Sequence, residues 1–189
     1  MISGRERFKK NKGFINLLVK LARIFPKGLL LFIWNCNTNH SQVLFVGIRF
    51  IILKALIRDC GDNIRIGTNV QLLGWEKLEI GNNVSIHSNC YIDASGGLAI
   101  GNDVSIAHNS TILTTNHGWE NESLPIKYNE VSYSPVQLKD DIWIGCGCRI
   151  LAGTIINTRS IVAAGAVVNK DVQSRTIVGG IPAKVIKNF

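Results

Sequence analysis

The sequence predicts an all-β solenoid preceded by a short helical segment. Three observations lead there. An aliphatic residue recurs every six positions through most of the chain. A residue that is usually small follows each one four positions later. The excess positive charge is confined to the first third, where the six-residue pattern is absent.

The period is clearest near the C-terminus. Ile144, Ile150, Ile156, Val162 and Val168 fall six apart, followed by Cys148, Thr154, Ser160, Ala166 and Val172. Ile100, Ile106 and Ile112 keep the period in the middle, with Val104 and Ser110 in the second position. Ile80, Ile86 and Ile92 precede them with Val84 and Cys90, and Ile66, Leu72 and Leu78 begin the series. The phase slips by two between Leu78 and Ile80, and again across Ser95-Gly96-Gly97.

A period of six fits neither a helix nor a strand of simple alternation. It fits a chain that makes a short flat strand, turns a corner and repeats, three sides giving a coil of about eighteen residues. Stacked coils then bond as a parallel sheet does. The aliphatic residue points into a narrow prism, where the next inward position has room only for a small side chain. Gly67, Gly81, Gly101, Gly145 and Gly153 fall near the corners, where an unusual backbone conformation costs glycine least.

The 189 residues suffice for one domain with a core and a small appendage. Residues 1–60 carry eleven Lys/Arg against Glu6 and Asp59, a net +9, while 61–189 carry ten against eleven, a net −1. This division predicts a basic amphipathic helical segment over 1–60 and the repeat domain over 61–189, interrupted by a protruding loop at 118–135. Phe14, Leu17, Leu18, Leu21, Ile24 and Phe25 follow helical spacing, and Pro26 closes that helix. Pro26 is placed as the first residue of a second helix to Trp34. After a polar turn at 35–40, Ser41 is the expected N-cap of a third helix over roughly 42–58. Lys20, Arg23 and Lys27 interrupt one apolar run, and Arg49 and Lys54 the other, so neither reads as a membrane span. No signal peptide is recognised. Two compatible readings remain open for the segment. It covers the exposed end of the solenoid and contributes to subunit contacts, or it lies on an anionic membrane surface. No nucleic-acid-binding motif is present.

Five cysteines without disulfide spacing suggest a reducing, cytoplasmic setting. Cys146 and Cys148, one residue apart with no second pair, do not make a zinc site.

Taken together, Ile100-Gly101-Asn102-Asp103-Val104, Asp141-Ile142-Trp143-Ile144-Gly145 and Val178-Gly179-Gly180-Ile181-Pro182-Ala183-Lys184-Val185-Ile186 resemble the hexapeptide-repeat acyltransferases. The likeness covers about residues 62–187. It implies a left-handed parallel β-helix, usually a homotrimer, using acetyl-CoA as co-substrate and no metal. The handedness comes from the resemblance, since it departs from the usual crossover rule.

The polar stretch Thr114-Thr115-Asn116-His117-Gly118-Trp119 lies where the repeat stops. In the galactoside, maltose and serine acetyltransferases that the segment Ile112–His117 resembles, a histidine at this spacing is the general base, which makes His117 the expected catalytic residue. Gly118 departs from the proline common after that histidine in sugar acetyltransferases. The same resemblance puts an acceptor contact at His87, where an asparagine is usual, with Asn89 beside it. Trp119 and Tyr128 of the loop suit a sugar, since aromatics stack on its face. On the donor side the resemblance implies Trp143 at the acetyl and pantetheine end, backbone contacts at Cys146 and Ala164, and Asn169, Lys170, Lys184 and Lys187 near the CoA phosphates or adenine. His108 and Asn109 are surface candidates. In a trimer the donor cleft runs between subunits, so donor residues and His117 can come from different chains.

The expected activity is acetyl-CoA-dependent O-acetylation of a sugar hydroxyl in a bacterial surface polysaccharide, O-antigen or capsule, or its lipid-linked precursor. The basic, apolar N-terminal segment is more similar to the enzymes of that group than to maltose acetyltransferase. Serine, a free sugar or an amino sugar are the alternative acceptors. A non-catalytic β-helix, a zinc-dependent one resembling the γ-carbonic anhydrases, and a covalent cysteine route are remote alternatives.

Overall fold

The computed structural model describes residues 4–189; residues 1–3 of the expected basic segment lie outside the described residues. Three helices come first: α1 (Gly4–Ala22), α2 (Lys27–Asn37) and α3 (Val43–Leu56). From Asp59 onward the chain winds a left-handed parallel β-helix of about six turns.

The prism has three faces. The first stacks Asp59–Cys60, Leu78–Ile80, Leu98–Ile100, Val136–Leu138 and Ile155–Ile156. The second stacks Arg65–Ile66, Ser85–Ile86, Ser105–Ile106, Trp143–Ile144, Ile161–Val162 and Thr176–Gly179, and ends with Lys184–Asn188 folded back antiparallel. The third stacks Gln71–Leu73, Tyr91–Asp93, Thr111–Ile112, Arg149–Ile150 and Val167–Val168. The six-residue aliphatics are all buried, as are the residues four positions on. Small polar residues in that second position bond to nearby carbonyls: Ser110 Oγ donates to Gly145 O (3.0 Å) and Ser160 Oγ to Gln173 O (2.9 Å). Inward hydroxyls are thereby satisfied without water.

Coil length varies in one place. Equivalent positions lie 20 residues apart in the first coils, as in Asn63 to Asn83. The separation is 38 across the loop, as in Asn102 to Asp140, and 18 in the later coil joining Asp141 to Arg159. The two surplus residues of the early coils sit at the corner from the third face to the first, at Gly74–Lys77 and Ala94–Gly97. This explains the phase slips in the sequence. The long loop leaves from the same corner.

The corner glycines act differently from the sequence expectation. Of the five, only Gly153 has a positive φ (81°). At Gly81 a Cβ would lie 2.8 Å from the backbone of Gly101 in the next coil, and at Gly145 2.6 Å from Ala164 N. Close stacking, not left-handed backbone, demands glycine there. The left-handed turns fall instead on Asn63, Asn83, Asp103, Asp141, Arg159 and Arg175 at one corner, and on Asn69, Asn89 and Asn109 at the next. Asparagine and aspartate tolerate that conformation best after glycine. Side chains extend the stacking at the first corner: Asn82 Oδ1 accepts Asp62 N–H, Asn102 Oδ1 accepts Asn82 N–H, and Asp140 Oδ1 accepts Asn102 N–H (2.9, 2.9 and 2.6 Å).

The helices cover the open end of the prism. Phe50, Ile52 and Leu53 of α3 join Leu30 and Trp34 of α2 in one core with Ile64, Ile66 and Trp75. Trp34 meets Trp75 edge-on at 4.9 Å. Arg49, 1% exposed, is the unexpected element: Nε donates to Ile66 O (3.0 Å), and Nη1 to Asn37 O (2.8 Å) and His40 O (2.9 Å). It ties the α2–α3 turn to the first coil with no carboxylate. Asp62 ties the other side by pairing with Lys12 (2.6 Å) and Lys54.

The helix boundaries need correction. α1 begins well before Phe14, Pro26 precedes α2 as its N-cap, and α2 runs on to Asn37. Gln42, not Ser41, is the N-cap of α3, with no side-chain bond, because packing of α3 against the coil supplies the stability a cap would add.

Replacing Arg49 by Ala removes donors from three carbonyls, of which Asn37 O keeps the His40 N–H (3.3 Å), and is expected to cost about 3 kcal/mol, measured as a lowered urea midpoint with unchanged slope.

Candidate functional site

The site begins at Thr114, which is fully buried at the end of the third-face strand. Its Oγ1 donates to Asp93 O (2.9 Å) and accepts Gly96 N–H (2.7 Å), while its carbonyl accepts Ser134 N–H (2.9 Å). Both ends of the insertion are thereby fixed to the coil below. From this root Thr115–His117 pairs antiparallel with Val131–Tyr133, with His117 opposite Val131. The loop expected at 118–135 is therefore a β-hairpin with a long tip.

The tip is braced from within. Asn129, buried, donates through Nδ2 to the carbonyls of Asn121 (3.2 Å), Leu124 (3.3 Å) and Pro125 (3.3 Å), and its Oδ1 accepts Asn121 N–H (3.0 Å). Gly118 N–H donates to Glu130 O (2.8 Å), a bond that proline could not make. That accounts for the departure noted at this position. Glu120 Oε2 accepts Trp119 N–H (2.9 Å), and backbone N–H groups of Glu120 and Trp119 draw its carboxyl below the usual range.

His117 is exposed, and its imidazole makes no hydrogen bond among the described residues. It lines a cavity of about 570 Å³ with Asn116, Gly118, Trp119, Glu120, Glu130, Val131 and Ser132. Trp119 and Tyr128 are two-thirds exposed. An imidazole free on both nitrogens, beside an aromatic ring and two carboxylates, can take a proton from a bound hydroxyl.

Asp93, which the sequence reading passed over, holds the base strand. Its Oδ2 accepts Thr115 Oγ1–H (2.9 Å) and its Oδ1 accepts Ser95 N–H (2.9 Å). Burial by itself would raise this carboxyl; hydrogen bonds from Ser95, Thr115 and Thr114 outweigh it and hold the group below the usual carboxylate range. The available signal was an acid in an otherwise aliphatic rung, one coil before the interruption.

The other expected residues lie elsewhere on the chain. His87, Asn89, Cys146 and Ala164 occupy the corner between the second and third faces, at the far end of the third-face strands from His117. Asn89 Oδ1 accepts Asn69 Nδ2–H (3.2 Å), so its side chain is engaged in the coil stacking. Burial, then Arg65 and His108, lower the His87 pKa and favour its neutral form. Trp143 stands half-exposed on the second face, and Lys184 and Lys187 lie in the last strand. Asn169 and Lys170, exposed, follow the last third-face strand, at the corner the hairpin leaves from. A single chain thus brings together His117, Trp119 and the loop, and leaves the residues expected for the donor spread over two corners, the second face and the last strand. The N–H groups of Cys146 and Ala164 form no hydrogen bond among the described residues, so both are open to an external acceptor.

None of the five cysteines is disulfide-bonded. Burial pushes the thiols of Cys90 and Cys148 up, and that of Cys60 up to about 12. These three are core thiols, poor nucleophiles at neutral pH. Among the described residues no three of His, Cys, Asp and Glu converge to hold a metal ion.

No family model matches the chain. Among solved structures it is similar to a maltose O-acetyltransferase from Clostridium difficile 630, with a TM-score of 0.75 and 26% identity over 92% of this chain and 88% of that one. The two share the left-handed parallel β-helix fold of the hexapeptide-repeat acetyltransferases. A galactoside acetyltransferase in complex with coenzyme A matches equally well, with a TM-score of 0.75 and 25% identity over 90% and 82% of the two chains. A 2,3,4,5-tetrahydropyridine-2,6-dicarboxylate N-acetyltransferase from Staphylococcus aureus is 52% identical over 56 residues, 30% of this chain. That match spans only 23% of the relative's length.

Asp93→Ala frees Thr115 and the hairpin root, and is expected to cost about 1–3 kcal/mol at neutral pH. Because the native carboxyl is depressed, its contribution is present above the unfolded pKa and lost as pH falls through the native one. The gap between wild type and Asp93→Ala in denaturant titrations should therefore be full at pH 7 and shrink as the pH drops below about 4.

Proposed function

We propose that this protein is an acetyl-CoA-dependent O-acetyltransferase whose acceptor is a sugar hydroxyl of a bacterial surface polysaccharide or of its lipid-linked precursor. The observation that carries the reading is the unpartnered His117 imidazole, held on a hairpin rooted in the coil and facing a cavity with Trp119, Glu120 and Glu130. The likeness to maltose and galactoside acetyltransferases supports the donor and the reaction type.

Imidazole titrates in the range where it can serve as base and then acid near neutral pH. In the proposed reaction His117 takes the acceptor hydroxyl proton as the oxygen attacks the thioester carbonyl. The C–O bond forms, the C–S bond breaks, and the proton passes to the departing CoA sulfur. Fixed backbone donors suit the oxyanion that forms between these steps, and the open N–H groups of Cys146 and Ala164 fit the donor arm. Lys170, Lys184 and Lys187 are exposed and would meet phosphates as point charges. Trp119 and Tyr128 would border the sugar, with His87 and Asn89 on its other side.

The separation of His117 from Cys146 and Ala164 within one chain favours a homotrimer, in which the hairpin of one copy would face the second-to-third corner of its neighbour. Sedimentation at the mass of a single 20.8 kDa chain would sink that arrangement.

With acetyl-CoA and a panel of polysaccharide repeat units, free thiol should appear only with the cognate acceptor. His117→Ala should lower kcat/KM by about 10²–10⁴-fold with little change in the KM for acetyl-CoA. Unchanged transfer by the variant would overturn the base assignment.

A further inference from the structure

The helices that close the prism have two apolar sides. α1 turns Val19 and Ala22 inward, yet its opposite side carries Phe14, Leu17 and Leu21, followed beyond the helix by Ile24 at the same i, i+3, i+7, i+10 spacing. Phe14 is 64% exposed and Ile24 78%. α2 buries Leu30 and Trp34 and turns Leu29 and Phe32 outward. Isolated surface apolars are ordinary, but outward apolar groups on each of two successive helices are not.

Apart from Glu6, the charged residues of α1 are all basic. Lys9, Lys10 and Lys20 of α1 are exposed and without an ion-pair partner among the described residues. The cations nearer the coil are engaged: Arg5 with Asp103, Lys12 and Lys54 with Asp62, and Arg23 with the Lys54 carbonyl (3.2 Å). Residues 61–189 have a net charge of −1, so the basic surplus belongs to this end of the molecule. Among the described residues no helix is long and apolar enough to cross a membrane.

We propose that the outward sides of α1 and α2 seat the protein on an anionic lipid surface, with the helices lying in the plane of the interface. Phe14, Leu17, Leu21, Ile24 and Phe32 enter the acyl boundary, while Lys9, Lys10 and Lys20 stay at the headgroups. A second copy facing this strip would bring like charges together at its rim, whereas anionic headgroups neutralise them; this decides between the two occupants. The inference does not depend on the catalytic reading, since vesicle binding and acetyl transfer are measured separately.

The test is co-sedimentation of the full chain with phosphatidylcholine vesicles, with and without phosphatidylglycerol. Binding is expected only with phosphatidylglycerol and should weaken with added salt. Replacing Lys9, Lys10 and Lys20 together by Gln should reduce partitioning by on the order of 100-fold. Phe14→Ser with Phe32→Ser should reduce it as well while leaving thermal unfolding unchanged, because neither ring is in the core. Equal sedimentation with neutral vesicles, or binding indifferent to both sets of substitutions, would overturn the proposal. So would loss of an oligomer on Phe14→Ser and Phe32→Ser in a protein that never binds vesicles, which would make the strip a contact between copies.

Discussion

Everything in this molecule depends on how closely one coil lies on the next. Backbone N–H groups of each turn donate to carbonyls of the turn beside them, from Gly61 to Ile80 through Leu151 to Val168. At the corners the approach leaves no space for a side chain, as the 2.8 Å that would separate a Cβ of Gly81 from Gly101 makes plain. A stack this tight forces the same chemistry into the same column. The result is rows of buried isoleucine, rows of small residues, and asparagines that bond to their counterparts one coil away. Extra chain is accommodated only where it leaves the ladder intact, and all of it leaves from one corner.

The catalytic candidate follows from that constraint. The insertion begins and ends one rung apart, so its root is held by the ladder itself through Thr114, Gly96 and Ser134. Asp93 adds a side-chain anchor to Thr115, two residues from His117. Rigid support beneath and an unengaged imidazole above is the division of labour expected of a positioned base. The same stacking turns Cys90 and Cys148 into core filler, with their sulfurs against carbonyls of neighbouring turns. Their chemistry is spent on packing.

The other consequence of stacking is an open end. A parallel ladder leaves unpaired groups at its first turn, and a solenoid must cover them. Here α3 lies over the first coil and the buried Arg49 donates to Ile66 O, taking the place of a neighbouring strand. The inner sides of the helices serve this capping role. Their outer sides do not, and the proposed lipid contact would use that surplus of apolar and basic surface without disturbing the cap.

The sequence by itself determined the solenoid, its inward residues, the position of the interruption and the division between a basic helical end and a neutral repeat. Those features are periodic or compositional, and periodicity survives without coordinates: Ile144 to Val168 points inward because nothing else fits a six-residue corner. His117 drew notice because it stands where the period fails, and its expected role as base came from the resemblance to other acetyltransferases. Only the tertiary structure decided what the corners require. Gly81 and Gly145 are glycines because of atoms twenty and nineteen residues away, not because of their own dihedral angles. It likewise decided that Asp93 supports the strand of His117, that Asn129 braces the loop, and that His87 and His117 stand at opposite ends of the third face. Such facts rest on contacts between coils, and a chain read one residue at a time does not contain the distances that make them.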